Sequence, residues 1–203
     1  MAEKQYTGRL AHIERWLDAV TEKDLLNGTI IVVLMGIFTA VVAYSVASKM
    51  EIPVAGMTET IKIISAVSAF VMTLIGWIFS SLIYHASAHL LGGKGDKNRM
   101  FALNGYASIP ALVQQFLRFV NYWFLGQPAT TSVGGILEIL LRFFNVFSII
   151  GLVLIVVAVK INYGLPGRKA TFVALIPTLI SLTIALVTMS MYSGSAATMQ
   201  GLG

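Results

Sequence analysis

The chain has 203 residues and a mass of 22.0 kDa, with 57% hydrophobic residues, 11% charged residues, no cysteine and a net charge of +5. A soluble domain carries about 25% charged residues, so this chain has too few to cover the surface of a soluble globule. The same counts exclude disorder, a disulfide scaffold and cysteine-ligated zinc or iron–sulfur centres; with a mean hydropathy of +0.81 they describe an integral membrane protein.

The head, residues 1–24, predicts a cytoplasmic amphipathic helix. Tyr6, Leu10, Ile13, Leu17 and Val20 recur at alternating spacings of four and three, with Glu3, Lys4, Arg9, Glu14, Arg15, Asp18 and Glu22 off that stripe. Such a helix can lie among headgroups with Trp16 at the interface, pack on its own chain, or dock a cytosolic partner. No cleavable signal peptide is visible. The first apolar run begins only at residue 25 and is longer than an h-region, so it is expected to stay as a signal anchor.

A hydrocarbon core of about 30 Å needs roughly 20 apolar residues in helix. Five runs qualify, at residues 25–48, 61–91, 100–125, 134–159 and 170–192. They show no sustained alternation and exceed the length of barrel strands. The expected fold is therefore all-α and polytopic: a five-helix transmembrane domain over residues 25–192, followed by a short flexible tail, 193–203. Lys and Arg set the direction. Lys4, Arg9, Arg15, Lys23, Lys94, Lys97, Arg99, Lys160, Arg168 and Lys169 fall on one side of this alternation, and only Lys49 and Lys62 on the other. The N terminus is expected in the cytoplasm and the C terminus outside, in a multi-pass protein of the cell membrane. The basic residues form no dense patch with interleaved aromatics, so nucleic acid is not an expected partner.

As one helix, residues 60–91 would run about 48 Å, so the second span must tilt or protrude. His85 and His89, spaced i, i+4, share a face near its cytoplasmic end. The pair can bind metal, although a catalytic site usually needs a third protein ligand and no Glu follows His85 as in the metalloprotease helix. Alternatively, both bond headgroups or loop carbonyls. No cofactor is expected. Gly92, Gly93 and Gly95 then stop the helix and permit positive φ, with Lys94 and Lys97 holding the turn in the cytoplasm. The spacing is not that of a phosphate loop.

The third span contains Pro110, which predicts a kink or break near residues 106–109; Pro177 perturbs the last span in the same way. Beyond Pro110, Gln114, Arg118 and Asn121 share a face with Gln115 beside them. Glu138, Arg142 and Asn145 repeat those spacings on the fourth span. Across a short connection Arg118 and Glu138 lie at similar depth, predicting an ion pair, with Arg142 meeting Gln114 or Gln115. An unpaired charge mid-bilayer costs at least about 2.5–3.5 kcal/mol, which favours pairing. The set reads either as a buried lock between two helices or as a solute or proton path. Gly28, Gly36, Ser65, Ser68, Ala69, Gly134, Gly135, Gly151, Ala170 and Ala174 permit close helix contact.

The stretch from Trp77 to Val113 resembles the YIP (Ypt/Rab-interacting protein) membrane family. The resemblance rests on Leu90-Leu91-Gly92-Gly93-Lys94-Gly95 ending one helix and Tyr106-Ala107-Ser108-Ile109-Pro110 opening the next, with Lys169-Ala170 and Pro177 in the last. It implies five spans, a cytoplasmic N terminus and a non-enzymatic protein working through membrane partners. Eukaryotic members contact Rab-type GTPases through long cytosolic regions; the short head here fits a prokaryotic member instead. The expected function is a scaffold or accessory subunit in the lipid bilayer, making helix contacts with itself or other membrane proteins. The alternative is a small solute or ion transporter or channel using the polar face of helices three and four. A membrane metalloenzyme using His85 and His89 is a third reading.

Overall fold

The computed structural model describes residues 10–48, 58–125 and 145–200, and its regular structure there is helical throughout. Helix α1 (Ala11–Asp18) and a 3₁₀ turn (Glu22–Asp24) lead into α2 (Leu25–Ala47). Then follow α3 (Thr58–Leu90), α4 (Lys97–Ala107), α5 (Ile109–Leu125), α6 (Val146–Tyr163) and α7 (Gly167–Gln200). Among the described residues, four helical stretches are long and apolar enough to cross a membrane: Glu22–Ala47, Thr58–Leu90, Val146–Tyr163 and Gly167–Thr188.

The head helix is shorter than its stripe predicts, and residues 3–9 lie outside the described segments. It ends at Asp18 because the carbonyls left open there are taken by another element. Arg99 donates from Nη2 to the Asp18 carbonyl at 3.1 Å and from Nε to the Val20 carbonyl at 2.8 Å. Thr21 and Asp24 then form a reciprocal cap, with the Thr21 amide donating to the Asp24 carboxylate at 2.9 Å. Of the predicted stripe, Leu17 and Val20 are buried and Ile13 packs beside them. The helix is folded onto its own chain.

α2 packs against α3, α4 and α5. Its two buried glycines make this possible: Gly28 faces the backbone of Ala102 in α4, and Gly36 faces the ring of Phe70 in α3. Thr29, Thr39 and Ser45 return their hydroxyls to carbonyls four residues back, so α2 carries hydroxyls without unsatisfied donors.

The third predicted span is two helices, α4 and α5, separated at Ser108. Pro110 supplies no amide for the Tyr106 carbonyl and its ring crowds that turn. Ser108 closes α4, its amide donating to Asn104 and Gly105 and its hydroxyl to the Asn104 carbonyl. α5 then has 17 residues, about 26 Å of rise. It runs beside α2, with Phe38 against Phe116 and Phe119, until Tyr122 Oη donates to the Ser45 carbonyl at 2.7 Å.

The fourth predicted span, residues 134–159, is described only from Asn145 onward, and there it differs from the expectation. Residues 126–144 lie outside the described segments, and the described helix begins at Val146 rather than continuing through Asn145. Asn145 has extended backbone and caps α6, its side-chain oxygen accepting the Ser148 amide at 3.0 Å. The helix persists to Tyr163 and stops at Gly164, which adopts φ 65° ahead of Pro166. α7 accommodates Pro177 and carries helical backbone to Gln200, so residues 193–200 belong to the same helix.

The best-packed core sits at the end of the bundle that holds α1, the glycine turn and α4. Leu17, Met100, Leu103, Val159 and Val173 are fully buried there. Burying one such side chain contributes about 1.5–3 kcal/mol relative to water. The basic residues Lys94, Lys97, Arg99, Lys160, Arg168 and Lys169 belong to the same end, in or beside the turns between α3 and α4 and between α6 and α7.

Candidate functional site

Gly92, Gly93 and Gly95 build a rigid joint between α3 and α6. Gly92 has φ 87°, and beyond it the Gly93 amide reaches the Ala88 carbonyl at 2.9 Å while Gly92 donates to His89. This is a Schellman ending, which needs a residue able to turn left-handed. Gly93 and Gly95 are glycines for a different reason, close approach. A Cβ on Gly93 would stand 2.8 Å from Tyr163 Cβ, and one on Gly95 would stand 2.5 Å from the Asn162 carbonyl oxygen. The turn is fastened by Lys94 N–H to the Tyr163 carbonyl at 3.1 Å and by Asn162 Nδ2 to the Asp96 carbonyl at 2.9 Å. Lys169 Nζ donates to the Leu91 carbonyl at 3.0 Å.

Asp96 opens α4 by accepting the Arg99 amide at 2.6 Å. Together with His89, Lys94, Gly95, Arg99 and Asn162 it lines an open depression of about 470 Å³. His85 and His89 stand on one helix face as predicted, with ring centroids 4.5 Å apart. Tyr163 of α6 joins them: His85 Nδ1 and Tyr163 Oη share a hydrogen bond at 2.8 Å. Among the described residues, no group of three or more His, Cys, Asp or Glu is placed to hold a metal ion.

The head closes over this end. Asp18 and Arg99 form an ion pair at 2.9 Å and Glu14 and Lys160 another at 2.6 Å, while Trp16 meets Tyr106 edge-on at 5.9 Å. Tyr106 is thus the seat of the head as well as the last turn before the break at Pro110. Arg99 and Lys160 count in the sequence only as markers of orientation. Their partners lie 81 and 146 positions away, and only the opposite charges on the head hinted at them.

Asn104 is a further buried polar residue that the sequence reading passed over. It is 6% exposed, and Nδ2 donates to Ser81 Oγ at 2.7 Å and Ser80 Oγ at 3.0 Å. An asparagine inside an apolar run was the available signal. Beside it Trp77 meets Phe101 edge-on at 5.3 Å, and its buried indole N–H has no hydrogen-bond partner among the described residues.

The expected lock on helices three and four is brought together only in part. Gln114, Arg118 and Asn121 lie half-buried along α5. Glu138 and Arg142, and with them the expected pair to Arg118, fall outside the described residues. Asn145 caps a helix instead of standing on its polar face. Pro177 lies apart from the glycine turn, on a cleft of about 880 Å³ between α3, α6 and α7 that also holds Ser80, Tyr84, Ser148, Thr178 and Ser181.

A family model described as the Yip1 domain matches residues 12–189. No curated protein and no solved structure matches the chain. The matched stretch includes the glycine turn, Tyr106, Pro110 and Pro177.

Proposed function

The chain belongs to the Yip1 domain family, and from that premise we propose that it is a non-enzymatic scaffold or accessory subunit of the cell membrane, acting through helix contacts with itself or with other membrane proteins. The observation that carries this reading is the outer face of α3. Ile64, Ser68, Val71, Ile75, Ile78 and Leu82 recur at spacings of four and three and all are exposed. At 33 residues α3 rises about 50 Å, more than the hydrocarbon thickness, and offers this face along most of its length. In lipid, shape and packing rather than hydrophobicity decide whether such a face takes a partner. Among the described residues, several polar side chains fasten helices: His85 to Tyr163, Asn104 to Ser81, Arg99 to Asp18.

The proposal includes five crossings, by α2, α3, α5, α6 and α7, with the N terminus cytoplasmic and the C terminus outside. The bond from Tyr122 to Ser45 supports counting α5, since it brings the far end of α5 to the far end of α2. The Lys and Arg residues gathered at the opposite end support the orientation.

Because the chain has no cysteine, Ile75→Cys gives a single reactive position. Oxidative cross-linking in native membranes is expected to trap this variant in a covalent dimer or a defined adduct. Ile184→Cys, on the exposed face of α7, is the comparison, since Ile184 is 61% exposed. Equal cross-linking at both positions, or none at Ile75→Cys, contradicts the reading.

A second reading, a small-solute transporter, draws on the cleft beside Pro177, whose lining combines hydroxyls with apolar side chains. Solute flux into proteoliposomes that is abolished by Ser181→Trp would favour it over the scaffold.

A further inference from the structure

We propose that the depression at the joint of α3, α4 and α6 binds the phosphate of an anionic phospholipid. This depends on the chain being embedded in a bilayer but not on its acting as a scaffold. His89 and Lys94 stand exposed on the rim, and Arg99 lines the wall with its guanidinium directed to the head. Lys97 follows in the first turn of α4, and Lys169 is tethered to the Leu91 carbonyl at the base of the same turn. The lining has a single carboxylate, Asp96, and it is turned to the Arg99 amide at 2.6 Å. Arg99 is neutralised by Asp18, so the positive charge at the site is that of Lys94 in the lining and of Lys97 and Lys169 beside it, against the Asp96 carboxylate.

The floor is preorganised. Asn162 is 7% exposed and holds the Asp96 carbonyl, while the Lys94 amide is fixed on Tyr163, so the Lys94 side chain rises from a turn that need not be ordered by the ligand. The depth of the site selects the ligand's source. Leu90, the residue that ends α3 just before the turn, is 87% exposed. Leu90 stands four residues before the exposed Lys94, and lysines at the ends of membrane helices reach the headgroup level. Basic pockets between membrane helices at that level take anionic lipid headgroups. A soluble anion or an acidic peptide would gain nothing from Leu90.

Native mass spectrometry of the full chain in mild detergent, titrated with dioctanoyl phosphatidic acid, tests the site. One molecule is expected to be retained in preference to dioctanoyl phosphatidylcholine. Lys94→Gln is expected to weaken retention about fivefold, while Lys94→Arg keeps it. Arg168→Gln removes an exposed cation from the same end but outside the lining, and is expected to change retention less than about twofold. Equal retention of phosphatidylcholine, or equal loss on Arg168→Gln, overturns the proposal. Displacement of the lipid by inorganic phosphate at matching concentration also overturns it, reassigning the site to a soluble anion.

Discussion

Gly105 of α4 rests directly on Gly28 of α2, backbone to backbone. A Cβ on Gly105 would collide with the Gly28 backbone, and one on Gly28 would stand 2.8 Å from the Ala102 carbonyl oxygen. No flexible side chain is present at that crossing to give way. Gly105→Ala is therefore expected to destabilise the protein by ~3 kcal/mol, the upper part of the range for overpacking. Gly76→Ala, where nothing lies within 4 Å of the new methyl, is expected to be neutral or slightly stabilising. Unfolding of the two variants in mixed micelles of mild detergent and dodecyl sulfate measures both.

The head is held by unequal fastenings. Arg99 makes three hydrogen bonds to Asp18 and Val20 from a partly buried position, whereas Lys160, 44% exposed, makes one to Glu14. Arg99→Ala is expected to weaken docking by ~2 kcal/mol, as for hydrogen bonds to a charged group, and Lys160→Ala by less than ~1 kcal/mol, as for a surface pair. Limited trypsin cleavage after Arg15 reads the difference. It should accelerate strongly for Arg99→Ala and little for Lys160→Ala.

How far this end was legible depended on whether the cause was local. Pro110 announced its break because a missing amide acts on the turn in which it sits. His85 and His89 announced their shared face because spacing alone sets it. Tyr163, which completes that cluster, stands 78 positions from His85, and no periodicity connects them. Gly28 was recognisable as a small residue, but Gly105, its counterpart, was not singled out because the crossing angle of α4 on α2 is a tertiary fact. Asn145 misled: its spacing from Arg142 suited a helix face, and asparagine suits a helix cap equally well.

Asn104 couples α4 to α3. Asn104→Ala and Ser81→Ala are each expected to be destabilising, and their double-mutant cycle should give a coupling of ~0.6–1.7 kcal/mol, the range found for hydrogen bonds between membrane helices. Reversible unfolding of the four proteins in that cycle supplies the number. A coupling near zero would mean that Ser80 takes over as the acceptor.

The count and direction of the crossings are the frame of the scaffold reading. Labelling of Ala2→Cys and Leu202→Cys in sealed inside-out and right-side-out vesicles, with a maleimide that does not cross membranes, measures them most directly. The expected result is that Ala2→Cys reacts only from the cytoplasmic side and Leu202→Cys only from the outside. Reaction of both positions from one side would leave an even number of crossings and remove α5 from the set that spans the bilayer.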